Sequence, residues 1–339
     1  MEAHLQGKRL YVQFEMTIMY SIVIPVYNEQ EVLPEFYHRL SRSMEQLDEP
    51  YEIIFINDGS QDRSMEILHK LHVADSRVKI IHLSRNFGHQ AAITVGMDYA
   101  SGDAVITMDA DLQDPPEVLL QLIQKYREGY DVVYATRKKR KGETFSKRFT
   151  ARVFYRLIHR LADVNIPVDT GDFRLINRSA LNSLNSLREK RRFVRGLVSW
   201  IGFRQIGITY QRDPRYAGKT KYPLRKMLKF ALDGITSFSD IPLHIAMYLG
   251  FATSGFAFLY AVIVVLLKFL SISFPGYTSI MVTILFLGGV QLITIGIIGE
   301  YIGRIYDEVK GRPLYIVQEL IGFDKPKDEK YDTEGLIPF

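Results

Sequence analysis

The chain contains no cysteine and one tryptophan among 339 residues. Without thiols it can form neither a disulfide nor a thiolate metal centre, which fits a reducing compartment. No Gly-x-Gly-x-x-Gly follows the first apolar run, which argues against a dinucleotide oxidoreductase. Gly218-Lys-Thr220 echoes the end of a phosphate-binding loop, but Asp213 stands where its first glycine would be. The eight histidines lack metal-ligand spacing, and His89 and His159 read as helix-surface residues. Residues Met1–Glu15 lack the apolar core and small-residue cleavage site of a signal peptide. We read them as a leader foreign to the fold, with Met16 the cleaner start. Charge of one sign is also scarce, since the formal net charge is only +5. The basic residues gather at Arg137–Lys141 and Lys219–Lys229. With no nucleic-acid-binding signature beside them, a membrane surface or a phosphate ligand explains these clusters better than nucleic acid does.

The front half alternates short β-branched apolar runs with helical patterns. Strands are expected at Tyr20–Val26, Tyr51–Ile56, Val78–Leu83, Ala104–Met108 and Val132–Ala135, with helices between them. Pro115-Pro116 is expected to open a helix after the fourth strand. Continuously apolar strands alternating with helices predict a mostly parallel sheet covered on both faces. Ligands of such sheets bind beyond the carboxyl ends of the strands. The polar clusters Tyr27-Asn-Glu29, Asn57-Asp-Gly-Ser60, Ser84-Arg-Asn-Phe-Gly88 and Asp109-Ala-Asp111 all fall at such ends.

Charge then disappears from two long stretches. Ile245–Leu267 carries none, and Phe269–Gly299 carries none, with Lys268 alone between them. At about 1.5 Å per residue the first reaches about 35 Å, enough to cross a hydrocarbon core of about 30 Å. Pro275-Gly276 marks the turn, and the second span is expected over Ser279–Ile302. Arg225, Lys226 and Lys229 precede the pair, and Arg304, Lys310 and Arg312 follow it. The positive-inside bias places the main domain and the carboxyl tail on the cytoplasmic side of an inner membrane. Amphipathic helices are expected over 145–161 and 224–239, the second lying in the membrane interface. Gly299-Glu-Tyr-Ile-Gly303 has the small-xxx-small spacing of close helix contacts and points to a homo-oligomer. The expected units are a leader at 1–15, a catalytic domain at 16–223, a juxtamembrane helix at 224–242, two spans at 243–303 and a tail at 304–339.

The strand ends also indicate chemistry. Asp109 and Asp111 offer carboxylates to a hard divalent cation, Mg²⁺ or Mn²⁺, of the kind shared with substrate phosphates. Gln113 is a third candidate ligand. Asp58 can accept from a base N–H, Tyr27 can stack on a base, and the guanidinium forks of Arg85 and Arg137 suit phosphate oxygens. This set describes a nucleotide-diphosphate site with a leaving group to activate.

Six motifs in order carry a resemblance. Ile24-Pro-Val-Tyr-Asn-Glu29, Asn57-Asp-Gly-Ser-Gln-Asp62, Ser84-Arg-Asn-Phe-Gly88 and Asp109-Ala-Asp-Leu-Gln-Asp114 resemble those of inverting GT-A glycosyltransferases of the second family. Asp169-Thr-Gly-Asp-Phe-Arg174 and Arg215-Tyr-Ala-Gly-Lys-Thr-Lys-Tyr222 resemble the polyisoprenyl-phosphate glycosyltransferases. That group includes dolichyl-phosphate mannose synthase, and the two spans resemble its bactoprenol glucosyltransferase branch most. Trp200 lies in Ser-Trp-Ile-Gly, unlike the Gln-x-x-Arg-Trp of processive polysaccharide synthases.

The resemblance implies a GT-A, Rossmann-like fold and specific roles. Pro25, Tyr27, Glu29 and Asp58 would cradle the nucleoside, with Arg85 and Asp109 also on the nucleotide sugar. Asp109, Asp111 and Gln113 would hold the metal and the diphosphate, Asp111 counting among the catalytic residues. Asp172 would be the base, and Arg137, Arg148, Lys221 and Arg174 would meet the lipid phosphate. A phosphate monoester with a second pKa near ~6 is largely dianionic at neutral pH, so Asp172 is expected either to orient the acceptor or to remove a residual proton. The expected reaction moves glucose from UDP-glucose onto a polyprenyl phosphate with inversion. GDP-mannose or a UDP-amino-arabinose donor is the alternative. A silent nucleotide-sensing or assembly module is the reading from another class, and it would predict damaged metal ligands, whereas Asp109 and Asp111 are both present.

Overall fold

In the computed structural model, residues 17–138, 167, 170–213, 241–270 and 276–323 are described. The amphipathic segments expected at 145–161 and 224–239, and with them Arg148, His159 and Lys221, lie outside the described residues.

The first half alternates strand and helix: β1 (Tyr20–Val26), α1 (Leu33–Met44), β2 (Tyr51–Asn57), α2 (Ser64–Ala74), β3 (Val78–Leu83), α3 (His89–Tyr99) and β4 (Ala104–Thr107). Pro116–Val118 form one turn of 3-10 helix, and α4 (Leu119–Arg127) and β5 (Val132–Arg137) follow. The paired prolines therefore open a 3-10 turn before the α-helix begins. Beyond the undescribed stretch come β6 (Thr170–Asn177), α5 (Arg178–Ser186), α6 (Val194–Trp200) and β7 (Gln205–Tyr210). Two long helices, α7 (Ile241–Phe269) and α8 (Tyr277–Val309), precede a last strand, β8 (Val317–Ile321).

The strands form one sheet in the order β7-β5-β6-β4-β1-β2-β3-β8. β1, β2, β3 and β4 run parallel, and β5 is parallel to β7. β6 opposes both β4 and β5, and β8 opposes β3. The mostly parallel sheet expected from the apolar runs is thus present. β1 and β2 are buried on both sides, so alternate residues feed two cores. Ile22, Ile24, Ile53 and Phe55 pack beneath α1 on one face, while Val23, Ile54 and Ile56 pack beneath α3 on the other. α3 lies close to the sheet because residue 96 is glycine. A Cβ there would fall 2.2 Å from Val23 Cγ1.

The reversal of β6 decides where its first residues lie. Thr107 pairs with Arg174 and Ala104 with Asn177, so Thr170–Arg174 lie at the carboxyl end of β4. β8 is a feature the sequence did not announce. Residues read as a trailing tail return to cover the edge of β3, with Ile81 paired to Leu320. Its short apolar-polar run is too brief to signal a strand, and it removes an open sheet edge.

The helices α7 and α8 contain candidate membrane spans at Ile241–Leu267 and Val282–Val309. Phe251, Phe258, Leu285 and Leu292 are among the large apolar side chains they expose. The first begins before the expected Ile245, and the second continues past the expected Ile302. Glu300, Arg304, Asp307 and Glu308 lie on the final turns of the same helix.

At the amino ends of the strands, Glu52 ties three elements together. Its buried carboxylate pairs with Lys79 Nζ at 2.7 Å and accepts from Ser21 Oγ, Ser101 N and Ser101 Oγ. Burial alone would raise its pKa, but these bonds hold it below the usual carboxylate value. A depressed pKa means that stability from ionised Glu52 is present above the unfolded value and is lost as pH falls through the folded one. Replacing Glu52 by Gln is expected to cost about 2–4 kcal/mol at pH 7, in the range for breaking a buried pair. In thermal or denaturant unfolding, the gap between wild type and variant should narrow as pH drops below ~4. A gap independent of pH would contradict this.

Candidate active site

The loops after β1 and β2 are knitted by their own polar side chains. Asn28, in the left-handed region at φ 56°, donates its N–H to Ser60 Oγ and accepts from Gln61 N through Oδ1. Glu29 N donates to Ser64 Oγ, and Gln30 N donates to Asp62 Oδ2. This lattice fixes the end of β1, where Tyr27 stands 38% exposed, as a stacking ring requires. Pro25 lies within β1 opposite Ile56, and Glu29 accepts the first turn of α1 through its carbonyl.

Asp58, at the end of β2, is held by backbone donors of the next loop. It is buried, its Oδ1 accepts from Phe87 N at 2.7 Å, and its Oδ2 accepts from Gly88 N at 3.0 Å. Burial raises its pKa, and those two bonds pull it partly back. The carboxylate therefore folds the Arg85–Gly88 turn. Gly59, at φ 66°, makes that packing possible, since a Cβ would meet the Arg85 carbonyl carbon at 2.7 Å. Arg85 is exposed and lies over the Phe87 ring at 4.1 Å.

The loop after β4 carries the acidic residues. Asp111 Oδ1 accepts from Gln113 N, and Leu112 is held at φ 56°. A buried leucine in the left-handed region costs about 1–3 kcal/mol, which the surrounding contacts must sustain. The third carboxylate, Asp114, is buried and accepts from Tyr210 Oη. Arg212 Nε is 3.5 Å and Arg137 Nη2 3.9 Å from it. Asp114 Oδ2 has no hydrogen-bond partner among the described residues. Arg137, expected to face a lipid phosphate, is thus drawn toward Asp114 and Tyr210 at the end of β5.

Asp172 is where several elements meet. Its side chain is 2% exposed. His89 Nε2 and Gln90 Nε2 each lie 3.1 Å from Oδ2. Arg195 spans both oxygens at 3.0 and 3.2 Å, and Arg174 Nη2 is 3.3 Å from Oδ1. Burial would raise the carboxyl's pKa, but Arg195, His89 and Arg174 hold it well below the carboxylate range. In this bonding Asp172 anchors the cationic groups gathered around it. Arg174 corrects a second expectation. Its side chain is 4% exposed and turned to Gly171 O and Asp172, so it serves as an internal counter-charge out of reach of a lipid.

His89 corrects a third. It is the first residue of α3, and Nε2 lies 3.4 Å from Asp109 Oδ1 as well as 3.1 Å from Asp172. Burial opposes its protonation, but Asp109 and Asp172 outweigh this and push its pKa up to about 9. One imidazole nitrogen thus joins the β4 carboxylate to the β6 carboxylate. The available signal was positional, because His89 directly follows Gly88 at the carboxyl end of β3. Arg195 and Gln90 had no motif to mark them.

No ready-made group of three His, Asp or Glu ligands occurs among the described residues. The residues nonetheless fit a divalent cation shared with a substrate. Burial raises the pKa of Asp109, His89 lowers it, and Asp114, Asp172 and Asp111 raise it further. A site with this surplus of negative charge is stabilised by an added cation, and Mg²⁺ commonly uses one or two carboxylates plus phosphate oxygens.

Comparisons with known proteins agree with this layout. The profile of glycosyl transferase family 2 matches residues 21–184, and that of the GtrB C-terminal hairpin matches residues 241–305. The chain is 57% identical to the uncharacterized glycosyltransferase YkcC of Bacillus subtilis, over 91% of this chain and 96% of that protein. It is 44% identical to the bactoprenol glucosyl transferase of Shigella phage SfII, over 88% and 97% respectively. Among solved structures, it is similar to glucosyl-3-phosphoglycerate synthase from Mycobacterium tuberculosis in complex with Mn²⁺, UDP-glucose and phosphoglyceric acid. That similarity has 18% identity, coverage of 63% and 76%, and a TM-score of 0.42.

In metal-free protein His89 should titrate near pH 9. Its folded pKa is raised, so the stability it contributes is full below the unfolded value of 6.5 and is lost as pH rises through about 9. Imidazole NMR, assigned with a His89→Gln variant, reads this directly. A His89 resonance titrating near its ordinary value would contradict the geometry.

Proposed function

The chain belongs to glycosyl transferase family 2, and from that premise we propose that it transfers one hexose from a nucleotide sugar to a polyprenyl phosphate at the cytoplasmic face of an inner membrane. It is a transferase with a mostly parallel GT-A-like sheet and two apolar helices long enough to span a bilayer. The proposed donor is UDP-glucose; its sugar is consistent with the phage relative being a bactoprenol glucosyl transferase.

One observation carries the reading. Asp172 at the start of β6 and the end of α8 are joined through a single short stretch of chain. Arg191 bonds Glu300 at 2.9 Å and Asp307 at 3.1 Å on α8, and Arg195, four residues on, holds Asp172. A site for a soluble nucleotide sugar is thereby fastened beside the place where a lipid acceptor would emerge.

In the proposed reaction an acceptor phosphate oxygen attacks the anomeric carbon from the face opposite the diphosphate. The new carbon–oxygen bond forms as the bond to the donor's β-phosphate oxygen breaks. The electron pair leaves with UDP, and configuration inverts. A dianionic acceptor has no proton to surrender, so the low proton affinity of Asp172 is compatible with this route. Asp109 and Asp111, with Gln113 adjacent, would hold the cation. When bound, Mg²⁺ or Mn²⁺ supplies Lewis-acid neutralisation of the departing diphosphate. Tyr27, with Pro25 and Glu29 behind it, would receive the nucleobase, and exposed Arg85 lies within reach of the same ligand. His89 keeps Asp109 and Asp172 in fixed relation, and Asp172 orients its cations. A homo-oligomer is also proposed, since Gly299 and Gly303 have the small-xxx-small spacing of close helix contacts.

The test is transfer itself. Purified full-length protein is incubated with undecaprenyl phosphate, Mn²⁺ and radiolabelled UDP-glucose, UDP-galactose, a UDP-amino-arabinose or GDP-mannose. Label from UDP-glucose should enter the organic phase, and Asp111→Asn should lower the rate by about 10²-fold or more, the scale for losing a charge-stabilising group. Label from another donor alone would replace glucose. Label in a water-soluble polymer, or nucleotide binding without transfer, would overturn the reading.

A further inference from the structure

We propose that Tyr210, the last residue of β7, is a positioning residue that presets the loop of the proposed cation ligands, an inference that rests on the transfer reaction above. Strain is the first observation. Asp109, Asp111 and Gln113 belong to the loop that follows β4, and Leu112 stands between the last two at φ 56°. The Cβ of a leucine disfavours that left-handed backbone, so the turn persists only where its surroundings hold it. Relaxation of Leu112 to a negative φ would change the relative direction of Asp111 and Gln113. Asp111 Oδ1 accepts from Gln113 N across it, a bond that closes the turn without fixing it to the sheet.

The fixing comes from the end of β7. β5 and β7 run parallel with Arg137 opposite Tyr210, and Tyr210 is buried. Its Oη donates to Asp114 Oδ1 and accepts from Arg137 Nε at 3.4 Å. Its ring meets Phe173 edge-on with centroids 6.0 Å apart, and Phe173 follows Asp172 in β6. Just beyond the strand, Asp213 N donates to Gln113 O at 3.0 Å. The end of β7 thus grips Gln113 and Asp114, the two residues that directly follow strained Leu112.

The other end of the loop is fixed by β1, since Met108 N donates to Val23 O at 3.1 Å. The carboxylates of Asp109 and Asp111 therefore lie on a segment anchored before them by one strand and after them by another. A phenol suits the second anchor, because its single hydroxyl donates and accepts at once. The hydroxyl links β5 to the β4 loop, and the ring links both to β6. A cation with strict ligand geometry is bound more tightly by ligands already in place. The tie is separable from the fold. Without the hydroxyl, Arg212 Nε and Arg137 Nη2 still stand beside Asp114 as counter-charges, at 3.5 and 3.9 Å here.

Tyr210→Phe in the full-length protein keeps the ring and removes the tie. The calorimetric Kd for UDP with Mn²⁺ and with excess chelator, the Mn²⁺ concentration for half-maximal transfer, the unfolding temperature and amide hydrogen exchange are measured for variant and wild type. UDP affinity in Mn²⁺ should fall about fivefold, the scale of one hydrogen bond, while affinity in chelator stays within about twofold. The Mn²⁺ requirement should rise by a similar factor, with kcat at saturating Mn²⁺ kept within about twofold. The hydrogen-bonded Gln113 and Asp213 amides should exchange slowly in wild type without Mn²⁺ or UDP, and about fivefold or more faster in the variant. A lowered unfolding temperature with unchanged Mn²⁺ dependence marks a purely structural role and overturns the proposal. Fast exchange at these amides in metal-free wild type overturns it too, whether or not the variant folds. If chelation leaves wild-type UDP affinity unchanged, the cation reading fails first and this inference with it. If wild type depends on Mn²⁺ and the variant depends on it equally, this inference alone fails.

Discussion

The structure depends on crowding negative charge into one place. Asp109, Asp111, Asp114 and Asp172 converge where β4 ends and β6 begins, and at least two of them are almost wholly buried. Removing such charges from water costs several kcal/mol each unless partners restore the lost solvation. The partners arrive from separate elements: His89 from α3, Arg137 from β5, Arg174 from β6, Arg195 from α6 and Arg212 from beyond β7. Reversing β6 against an otherwise parallel neighbourhood brings Asp172 into this group. Much of the second half of the chain supplies counter-charge to the first.

The compensation is uneven, and the unevenness has chemical meaning. Asp172 is held by several cationic and polar partners, while Asp109 keeps a raised pKa beside three other carboxylates. One end of the cluster is balanced by cationic side chains, and the other keeps a surplus of negative charge that the proposed cation and diphosphate would balance. His89 separates the two ends and touches both. The same segment that holds Asp172 is also bonded to α8, so the long apolar helix and the carboxylate cluster are mechanically linked.

Much of the fold was legible because its physics is local. Strands buried on both faces are continuously apolar, and their ends are marked by Asn, Asp and Gly, so β1 through β5 could be placed nearly to the residue. Asp109-Ala-Asp111 was visible for the same reason. What was not legible depended on partners distant in sequence. His89 looked like a surface histidine until two carboxylates were placed beside it. The bonds that Asp58 accepts from the Phe87 and Gly88 N–H groups were equally out of sight. Arg174 was assigned to a lipid because a sequence gives charge without burial. Arg195 went unnoticed because nothing near it spells a motif, and β8 because five residues carry too little pattern. Arg148 and Lys221 lie outside the described residues.

The central claim is that the open end of the carboxylate cluster is completed by a divalent cation together with a nucleotide diphosphate. Isothermal calorimetry of UDP binding to the intact protein, with Mn²⁺ and again with excess chelator, addresses it most directly. The account predicts that chelation weakens UDP binding by at least about tenfold. Equal affinity with and without the chelator, on folded protein, would contradict it.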